Sequence, residues 1–485
     1  MSDRLAAATV EFAPRGQPTR APGGSDTPDG GGRDKRRGLS RFTDPEQTMR
    51  AHPFLVVLTC VLALALGSCN TGKGVSNGST HGTLRVLNVI PNAGGPLNVT
   101  FDLKPFVTDL PFEGMTQYQT IDAGSRELQV SVAGSSTNLI DVTPIFLPDV
   151  AYTFVAFGAL ANATGIILND TLIVDPGAGM FALRVVNGAS NNGGIDVYVT
   201  APGEDLNTVS PSIAGVGYGT TSLFVNLPVG HREIRITAAN SKQVIYDGPA
   251  QDFAERAHVQ AVVYSRGSST LVNVALLNID DTGTGAIANS SLARFRVING
   301  SSVGSPLNVF VDHDLALSNI PYAAASSYQT INAGQRLLTV ESTATPGAAL
   351  LTLTPTFPPA SDTAIAITGA AGALTATLYS EPSFPPSLVR ARVRFVNSTI
   401  DVAALDVFVN FSLQVSGLAM NSISAGTELD ADAIAGTAYE FDFKPSGSGQ
   451  GGLQLPGVVL FGGQLYTIYV VGPGSALAGV VVQDN

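Results

Sequence analysis

The sequence predicts an all-β protein made of four tandem antiparallel Ig-like β-sandwich domains. Three observations support this prediction. A pair of strand-like segments recurs four times along the chain. Short apolar strands alternate with Gly, Pro, Asn and Ser loops at about 8–12 residue spacing, as in sandwich folds. Only 13% of the 485 residues are charged, about half the usual ~25%, which argues against coiled coils and long exposed helices.

The first segment, residues 1–48, differs from everything that follows. It is rich in Gly, Pro, Asp and basic residues and shows no apolar period. Such a composition cannot bury enough apolar surface to fold. We predict that residues 1–48 are disordered and are a mis-called N-terminal extension, with Met49 as the start of translation.

Residues 49–68 predict an export signal. Arg50 supplies a positive charge, and a short apolar run extends to Leu66. The run fits an h-region of ~7–15 residues and is too short to span a bilayer. Leu66-Gly67-Ser68-Cys69 then resembles the bacterial lipoprotein signal, which implies acylation of Cys69. A plain secretory signal and a short membrane anchor are the alternatives.

Lipidation of Cys69 would account for the cysteines of this chain. The sequence holds two, and Cys60 lies inside the part that the signal peptidase removes. We therefore expect membrane attachment through Cys69, a flexible tether over residues 69–82, and a place in the bacterial cell envelope. Asn70 after the acylated cysteine favours the outer membrane, on its periplasmic or surface face.

The repeated unit opens with two strands. The first carries an arginine and, three residues later, an asparagine; the second is aliphatic with Asn or Asp at its second position and alternates apolar with polar residues. A turn with glycine follows, and an aliphatic strand closes each unit. The openings are Leu84 to Asn88, Leu183 to Asn187, Phe295 to Asn299 and Val393 to Asn397, followed by strands at 97–101, 195–199, 307–311 and 405–409.

Each unit is long enough to bury its own core. The predicted sandwiches are therefore independent domains, which Pro-containing linkers would join into a semi-rigid rod. The opening strand is apolar on both faces, so we expect it in the middle of a sheet or beneath a neighbour. The predicted boundaries are 83–175, 180–281, 291–381 and 388–485.

The segment 184–199 resembles a bacterial envelope repeat family that is catalogued as domain of unknown function 4397. The resemblance rests on the Arg-Val-Val-Asn-Gly-Ala-Ser strand and the Ile-Asp-Val-Tyr-Val strand. Asn187 and Asn299 stand where the family often has His. The resemblance extends over about residues 83–485 and implies exported β-sandwich repeats; it brings no activity and no catalytic residues.

The recurring arginine and the Asn or Asp of the second strand suggest a structural pair. If the two strands were antiparallel neighbours, these side chains would meet across the ladder. The alternative is a recurring ligand site. The predicted pairs are Arg85 with Asn98, Arg184 with Asp196, Arg296 with Asn308, and Arg394 with Asp406.

Outward aromatic side chains on the second strands are the candidates for ligand contact. They are Tyr198, Phe310 and Phe408, with Thr100 in the first unit. An exposed ring can stack on a sugar or anchor a partner. Burial under a neighbouring strand or domain is the alternative.

Charge and motifs exclude several functions. The net charge of −12 makes nucleic acid a poor partner. No nucleophile motif, phosphate loop or metal-ligand spacing stands out, so we expect no enzyme activity, no cofactor and no metal. The predicted role is structural, adhesive or display, toward a cell-wall polymer, a glycan or a protein. The alternative is a carbohydrate-binding surface lipoprotein. The sequence leaves the ligand and the oligomeric state open.

Overall fold

The computed structural model describes residues 79–171, 173–280, 283–380, 384–448 and 451–484. The predicted extension, the signal peptide and Cys69 lie outside these residues. In the described part the chain forms four β-sandwiches, which we call repeats 1 to 4. This confirms the predicted all-β class of tandem β-sandwiches, whereas the predicted wholly antiparallel pairing is wrong, because each repeat contains one parallel strand pair. None of the described helices is both long and apolar enough to cross a membrane.

Repeats 1 and 2 occupy residues 81–169 and 180–288. Repeat 1 contains β1 (His81–Val89), β2 (Leu97–Phe101), β3 (Lys104–Leu110), β4 (Gln119–Asp122), β5 (Gly124–Ser125), β6 (Leu128–Val132), β7 (Asn138–Val142), β8 (Ile145–Phe146), β9 (Ala151–Phe157), a 3-10 turn (Leu160–Asn162) and β10 (Thr164–Asn169). Repeat 2 contains β11 (Met180–Gly188), β12 (Gly194–Thr200), a 3-10 turn (Leu206–Thr208), β13 (Ile213–Gly217), β14 (Val225–Pro228), β15 (Gly230–Ala238), β16 (Val244–Asp247), β17 (Gln251–Phe253), β18 (His258–Ser265), β19 (Val272–Asn278) and β20 (Gly285–Ala288).

Repeats 3 and 4 occupy residues 292–380 and 390–483. Repeat 3 contains β21 (Leu292–Ser301), β22 (Leu307–Val311), β23 (Asp314–Ile320), β24 (Ala324–Ala325), β25 (Gln329–Asn332), β26 (Gly334–Gln335), β27 (Leu338–Ser342), β28 (Ala349–Leu353), β29 (Thr356–Phe357), β30 (Asp362–Gly369) and β31 (Thr375–Ser380). Repeat 4 contains β32 (Arg390–Thr399), β33 (Ala404–Val409), β34 (Ser412–Ala419), β35 (Ser422–Ile423), β36 (Thr427–Asp430), β37 (Thr437–Pro445), β38 (Leu453–Leu460), β39 (Leu465–Gly472) and β40 (Ala478–Gln483).

The opening strand of each repeat lies in the middle of one sheet, which we call the inner sheet. In repeat 1 its order is β10-β9-β1-β4, and β1 pairs with β9 in parallel. The same parallel pair recurs as β11–β18, β21–β30 and β32–β39. A strand that is apolar on both faces is stable where other strands flank it and both of its faces are buried. The mid-sheet position predicted for the opening strand is therefore confirmed.

The second strand lies in the opposite, outer sheet. In repeat 1 this sheet has the order β3-β2-β6-β7, and the orders in the other repeats correspond. The opening and second strands are therefore not ladder neighbours, and the loop between them crosses from one sheet to the other. Each repeat buries its own apolar cluster between its two sheets.

The repeats are not independent beads. The outward face of the inner sheet of repeat 1 packs against that of repeat 2, and Leu87, Phe157, Val186, Val262 and Tyr264 are fully buried in this cluster. Repeats 3 and 4 pack in the same way. The protein thus contains two pairs, which we call pair 1 (repeats 1 and 2) and pair 2 (repeats 3 and 4), and the predicted string of separate domains is wrong in this respect.

Glycine permits the close approach within each pair. A Cβ atom at Gly188 would lie 3.0 Å from Cβ of Phe157 in repeat 1. A Cβ atom at Gly300 of repeat 3 would lie 2.9 Å from Cβ of Val471 in repeat 4. Any larger residue at these positions would push the two inner sheets apart, because packed interiors have no spare room. At these two positions, the glycine that follows the recurring asparagine therefore allows the inner sheets of the two repeats to pack closely.

Candidate functional site

The recurring arginines lie at the interfaces within the two pairs. Arg85 is fully buried on the outward face of β1, and its Nη1 donates to the carbonyl of Asn278 in repeat 2 at 2.9 Å. Arg184 of repeat 2 makes the equivalent contact in the opposite direction: its Nη1 donates to the carbonyl of Asn169 in repeat 1 at 3.0 Å. The two repeats are thus related by an approximate twofold axis, as the subunits of an isologous dimer are.

One buried carboxylate serves both arginines of pair 1. Asp170 follows β10, and its side chain is completely inaccessible. Arg184 Nη2 lies 2.7 Å from Asp170 Oδ1, and Arg85 Nη2 lies 3.8 Å from Asp170 Oδ2. The Tyr118 hydroxyl donates to Asp170 Oδ2 at 2.8 Å, and the Thr153 hydroxyl donates to the same oxygen. Such hydrogen bonding is what a buried charge requires.

Pair 2 contains a corresponding network, but its carboxylate comes from the second repeat of the pair and not from the first. Asp484 follows β40 of repeat 4, and its side chain is also inaccessible. It forms an ion pair with Arg296 of repeat 3 and lies 3.0 Å from Arg394 Nη2 of repeat 4. The Thr467 hydroxyl donates to it at 2.7 Å. In pair 1 the first repeat supplies the acid, and in pair 2 the last repeat supplies it.

Aromatic rings complete the networks. The guanidinium of Arg85 lies 4.6 Å from the ring centre of Tyr118, and that of Arg296 lies 4.7 Å from that of Tyr328. Burial and the neighbouring Asp170 carboxylate raise the pKa of Tyr118. Burial lowers the pKa of Arg184, while Asp170 opposes that shift. The cluster is a buried cation–π and ion-pair network.

The predicted pairing of these arginines is therefore wrong. Each arginine lies in an inner sheet and each second-strand Asn or Asp lies in an outer sheet, so no ladder joins them. An arginine on the outward face of the inner sheet points toward the neighbouring repeat. The correction applies to Arg85 and Asn98, Arg184 and Asp196, Arg296 and Asn308, and Arg394 and Asp406.

The second-strand Asn and Asp side chains hold a bulge in the outer sheet. Each accepts a hydrogen bond from the backbone N–H of a residue with positive φ in the next strand, where the register shifts. This hydrogen bond from Gly417 holds the pKa of Asp406 below its ordinary value. The four bonds are Asp109 N to Asn98 (2.9 Å), Gly215 N to Asp196 (2.7 Å), Asn319 N to Asn308 (2.9 Å) and Gly417 N to Asp406 (2.8 Å).

The asparagine of the opening strand joins the two sheets at the same bulge. It is fully buried in every repeat. Its amide donates to the carbonyl of the residue after the positive-φ position, and its oxygen accepts from the backbone N–H two residues later. The recurring polar residues thus satisfy buried backbone groups. The four amide bonds are Asn88 to Leu110 (3.1 Å), Asn187 to Val216 (2.9 Å), Asn299 to Ile320 (2.9 Å) and Asn397 to Leu418 (3.0 Å).

The three predicted contact aromatics differ in exposure. Tyr198 is 1% exposed, and the Lys242 ammonium lies 4.7 Å from its ring centre. Lys242 also donates to the carbonyls of Leu206 and Val209, so the loop between β12 and β13 holds the lysine over this ring. Tyr198 is therefore excluded as an exposed contact. Phe310 and Phe408 are half-buried.

Sequence reasoning missed Asp170, Asp484 and the aromatic partners of the arginines. The identical Tyr-Gln-Thr-Ile segments at Tyr118 and Tyr328 were a usable signal, since both rings cover an arginine. The acids had no such signal, because they occupy opposite repeats in the two pairs. Among the described residues, no three His, Cys, Asp or Glu side chains gather as a metal site requires.

Comparison with solved structures finds 11 matching chains, one of which is CBMbc. A crystal structure of CBMbc (family CBM26) from Eubacterium rectale Amy13K in complex with maltoheptaose is 10% identical. The match covers 43% of this chain and 95% of that chain, with a TM-score of 0.14. That score is too low to bear on fold or ligand. No curated protein matches the chain.

Comparison with family models identifies two regions. The model described as Domain of unknown function (DUF4397) matches residues 82–198 and 293–408. The first match runs from β1 of repeat 1 into β12 of repeat 2, and the second runs from β21 of repeat 3 into β33 of repeat 4. The matches therefore begin at the same place in each pair. Two regions of this chain thus match the DUF4397 model, one at the start of each pair of repeats.

Proposed function

We propose that this protein is a lipid-anchored bacterial envelope protein whose paired β-sandwiches serve a non-catalytic structural, adhesive or display role. The observation that carries the proposal is the pairing itself. Apolar inner-sheet faces and a buried Arg–Asp–Arg network join the repeats two by two. A structural module needs a fixed relation between its domains, and these interfaces supply one.

The recurring polar residues support a role that requires no chemistry. The arginines form hydrogen bonds across the repeat interface. The opening-strand asparagines and the second-strand Asn or Asp side chains form hydrogen bonds with backbone groups. Their recurrence is explained by folding and pairing. Buried ionic groups can also fix one arrangement of partners over others, which suits a spacer that holds its distal repeats away from a membrane.

Replacing Cys69 tests the anchor. We expect Cys69→Ala to remove the acyl groups and release the protein from the membrane fraction, since one thiol carries the lipid and two or more acyl chains hold a protein stably. Intact-protein mass and membrane fractionation after expression in a Gram-negative bacterium are the measurements.

Cys60→Ala is the matched control for this test, because the proposal places Cys60 in the removed signal. It should leave both the acylated mass and the membrane fraction unchanged. Membrane attachment that survives Cys69→Ala, or mature protein that contains peptides from residues 1–48, would contradict the proposed processing.

Glycan binding is a second candidate, supported by the outer sheets of repeats 3 and 4. Phe310 lies opposite Leu315 in the ladder, and Phe408 lies opposite Leu413. Leu315 and Leu413 are 55% and 51% exposed. Each pair gives an aromatic and an aliphatic side chain side by side on a sheet face, a surface on which a sugar ring can stack.

A glycan array distinguishes this candidate. If the outer sheets bind sugars, a double variant with Phe310→Ala and Phe408→Ala should reduce the signal at least about tenfold, the effect of losing ~1.4 kcal/mol. Tyr198→Phe, at the covered position, should not change it. Binding that the double variant retains would assign the sugar to another surface.

A further inference from the structure

The end of repeat 1 at which the chain enters carries an exposed apolar patch. We define the tether-end patch as Leu103, Ile145 and Leu147, which are 72%, 71% and 53% exposed. Exposed large apolar side chains that gather at one end of a domain mark an interaction surface more often than isolated ones do.

Backbone contacts place Ile145 and Leu147 around the first residues of β1. Asp149 N donates to the His81 carbonyl at 2.9 Å, and a Cβ atom at Gly82 would lie 3.0 Å from the Leu147 carbonyl oxygen. Ile145 pairs with Ser125 in the short β5–β8 ladder. Ala123 of the neighbouring turn donates its N–H to the Thr80 carbonyl at 2.8 Å.

Leu103 reaches the same end from the turn between β2 and β3. The N–H of Asp102 donates to the Glu127 carbonyl, and Arg126 forms an ion pair with Asp102 at 3.0 Å. Asp102 and Leu103 have φ of 50° and 63°, values that favour glycine or asparagine in a two-residue hairpin turn.

We propose that the tether-end patch rests on the lipid bilayer, with its three side chains in the headgroup–acyl boundary. This inference rests on the proposed anchor at Cys69. Cys69 precedes His81 by 12 residues, so the chain between them can span at most about 40 Å. The patch lies at the end of repeat 1 that this short connection holds near the membrane, and partly exposed leucine-class side chains gain stability in that boundary.

Repeat 4 offers a matched control. Its corresponding turn places Asn410 and Phe411 at φ of 47° and 67°, and Phe411 is 74% exposed. The turn conformation and exposure therefore match those of Leu103. Phe411 belongs to repeat 4, 342 residues along the chain from Cys69, and the docking proposal assigns it no contact with lipid.

The test uses the full lipidated protein in phosphatidylcholine vesicles. Leu103→Cys and Phe411→Cys are each labelled with the environment-sensitive fluorophore NBD, since the Cys69 thiol is acylated and does not react. We expect blue-shifted emission at position 103 and quenching by nitroxide-labelled lipid several-fold stronger than at position 411. Unchanged thermal unfolding midpoints would show that both variants fold.

Vesicle flotation separates the two proposals. Protein that floats but shows no quenching at position 103, or equal quenching at both positions, overturns the docking proposal and leaves the anchor intact. Protein that does not float overturns the anchor and docking together. A blue shift at position 103 that appears without lipid and grows with protein concentration shows that a second copy covers the patch, which also overturns lipid docking.

Discussion

Replacing Asp170 with asparagine should destabilise pair 1 by about 3–5 kcal/mol, the usual cost of removing one partner from a buried ion pair. Arg85 and Arg184 would remain at the repeat interface without their shared counter-charge. Tyr118 and Thr153 would lose their anionic acceptor. Urea unfolding of the wild type and the variant, followed by tyrosine fluorescence, measures the change.

Asp175→Asn is the matched control, because Asp175 also contacts an arginine but is 60% exposed. Surface ion pairs contribute about 0–1 kcal/mol, so its effect should be within that range. A sharper check replaces all three members: Arg85→Met, Asp170→Leu and Arg184→Met together should restore most of the lost stability, because well-packed apolar groups can replace a buried ion cluster. A harmless Asp170→Asn would contradict the assignment of Asp170 as the shared counter-charge.

Introducing a charge at Val186 should separate the repeats of pair 1 without unfolding either of them. Val186 is fully buried on the outward face of β11, against the inner sheet of repeat 1. Val186→Asp places a carboxylate there with no partner, and the effective cost of burying such an ion is several kcal/mol. Undocking then becomes the lower-energy outcome. The residues that point into the core of repeat 2, such as Val185, are unaffected.

Limited proteolysis of the linker around Asp175 and hydrogen exchange measure this separation. The variant should be cut faster in the linker, and amides of β1 and β11 should exchange faster while those of the outer sheets stay protected. Leu223→Asp is the control in the same repeat, because Leu223 is 86% exposed and should tolerate a charge. Unchanged linker cleavage in Val186→Asp would show that the apolar interface does not hold the pair together.

The strand pattern was predictable because it depends on local chemistry. Alternation along the second strand follows from one buried and one outward face, and the structure buries Ile195 and Val197 in the core. The recurring glycines at 124, 230 and 334 begin the strands β5, β15 and β26 and have positive φ, a backbone that glycine adopts without steric cost. Gly426 does not share this backbone; a side chain there would meet Arg392 instead.

The partners of the recurring polar residues were not predictable from spacing. Asn98 and Arg85 lie close in sequence, yet the loop between their strands crosses to the other sheet. Arg85 therefore bonds to Asn278, 193 residues away. A sequence repeat shows that a residue has the same surroundings in every copy, but it does not show whether those surroundings belong to its own repeat or to the next one.

The sequence by itself determined the all-β class, the four repeats and the mid-sheet position of the opening strand, because periodicity and turn chemistry act over a few residues. Only the tertiary structure decided that the repeats pair two by two, that Asp170 and Asp484 are the shared acids, and that Tyr198 is covered. These features depend on which faces meet in space. Two apolar sheet faces and two buried arginines require cover and counter-charge, and residues distant in sequence supply both.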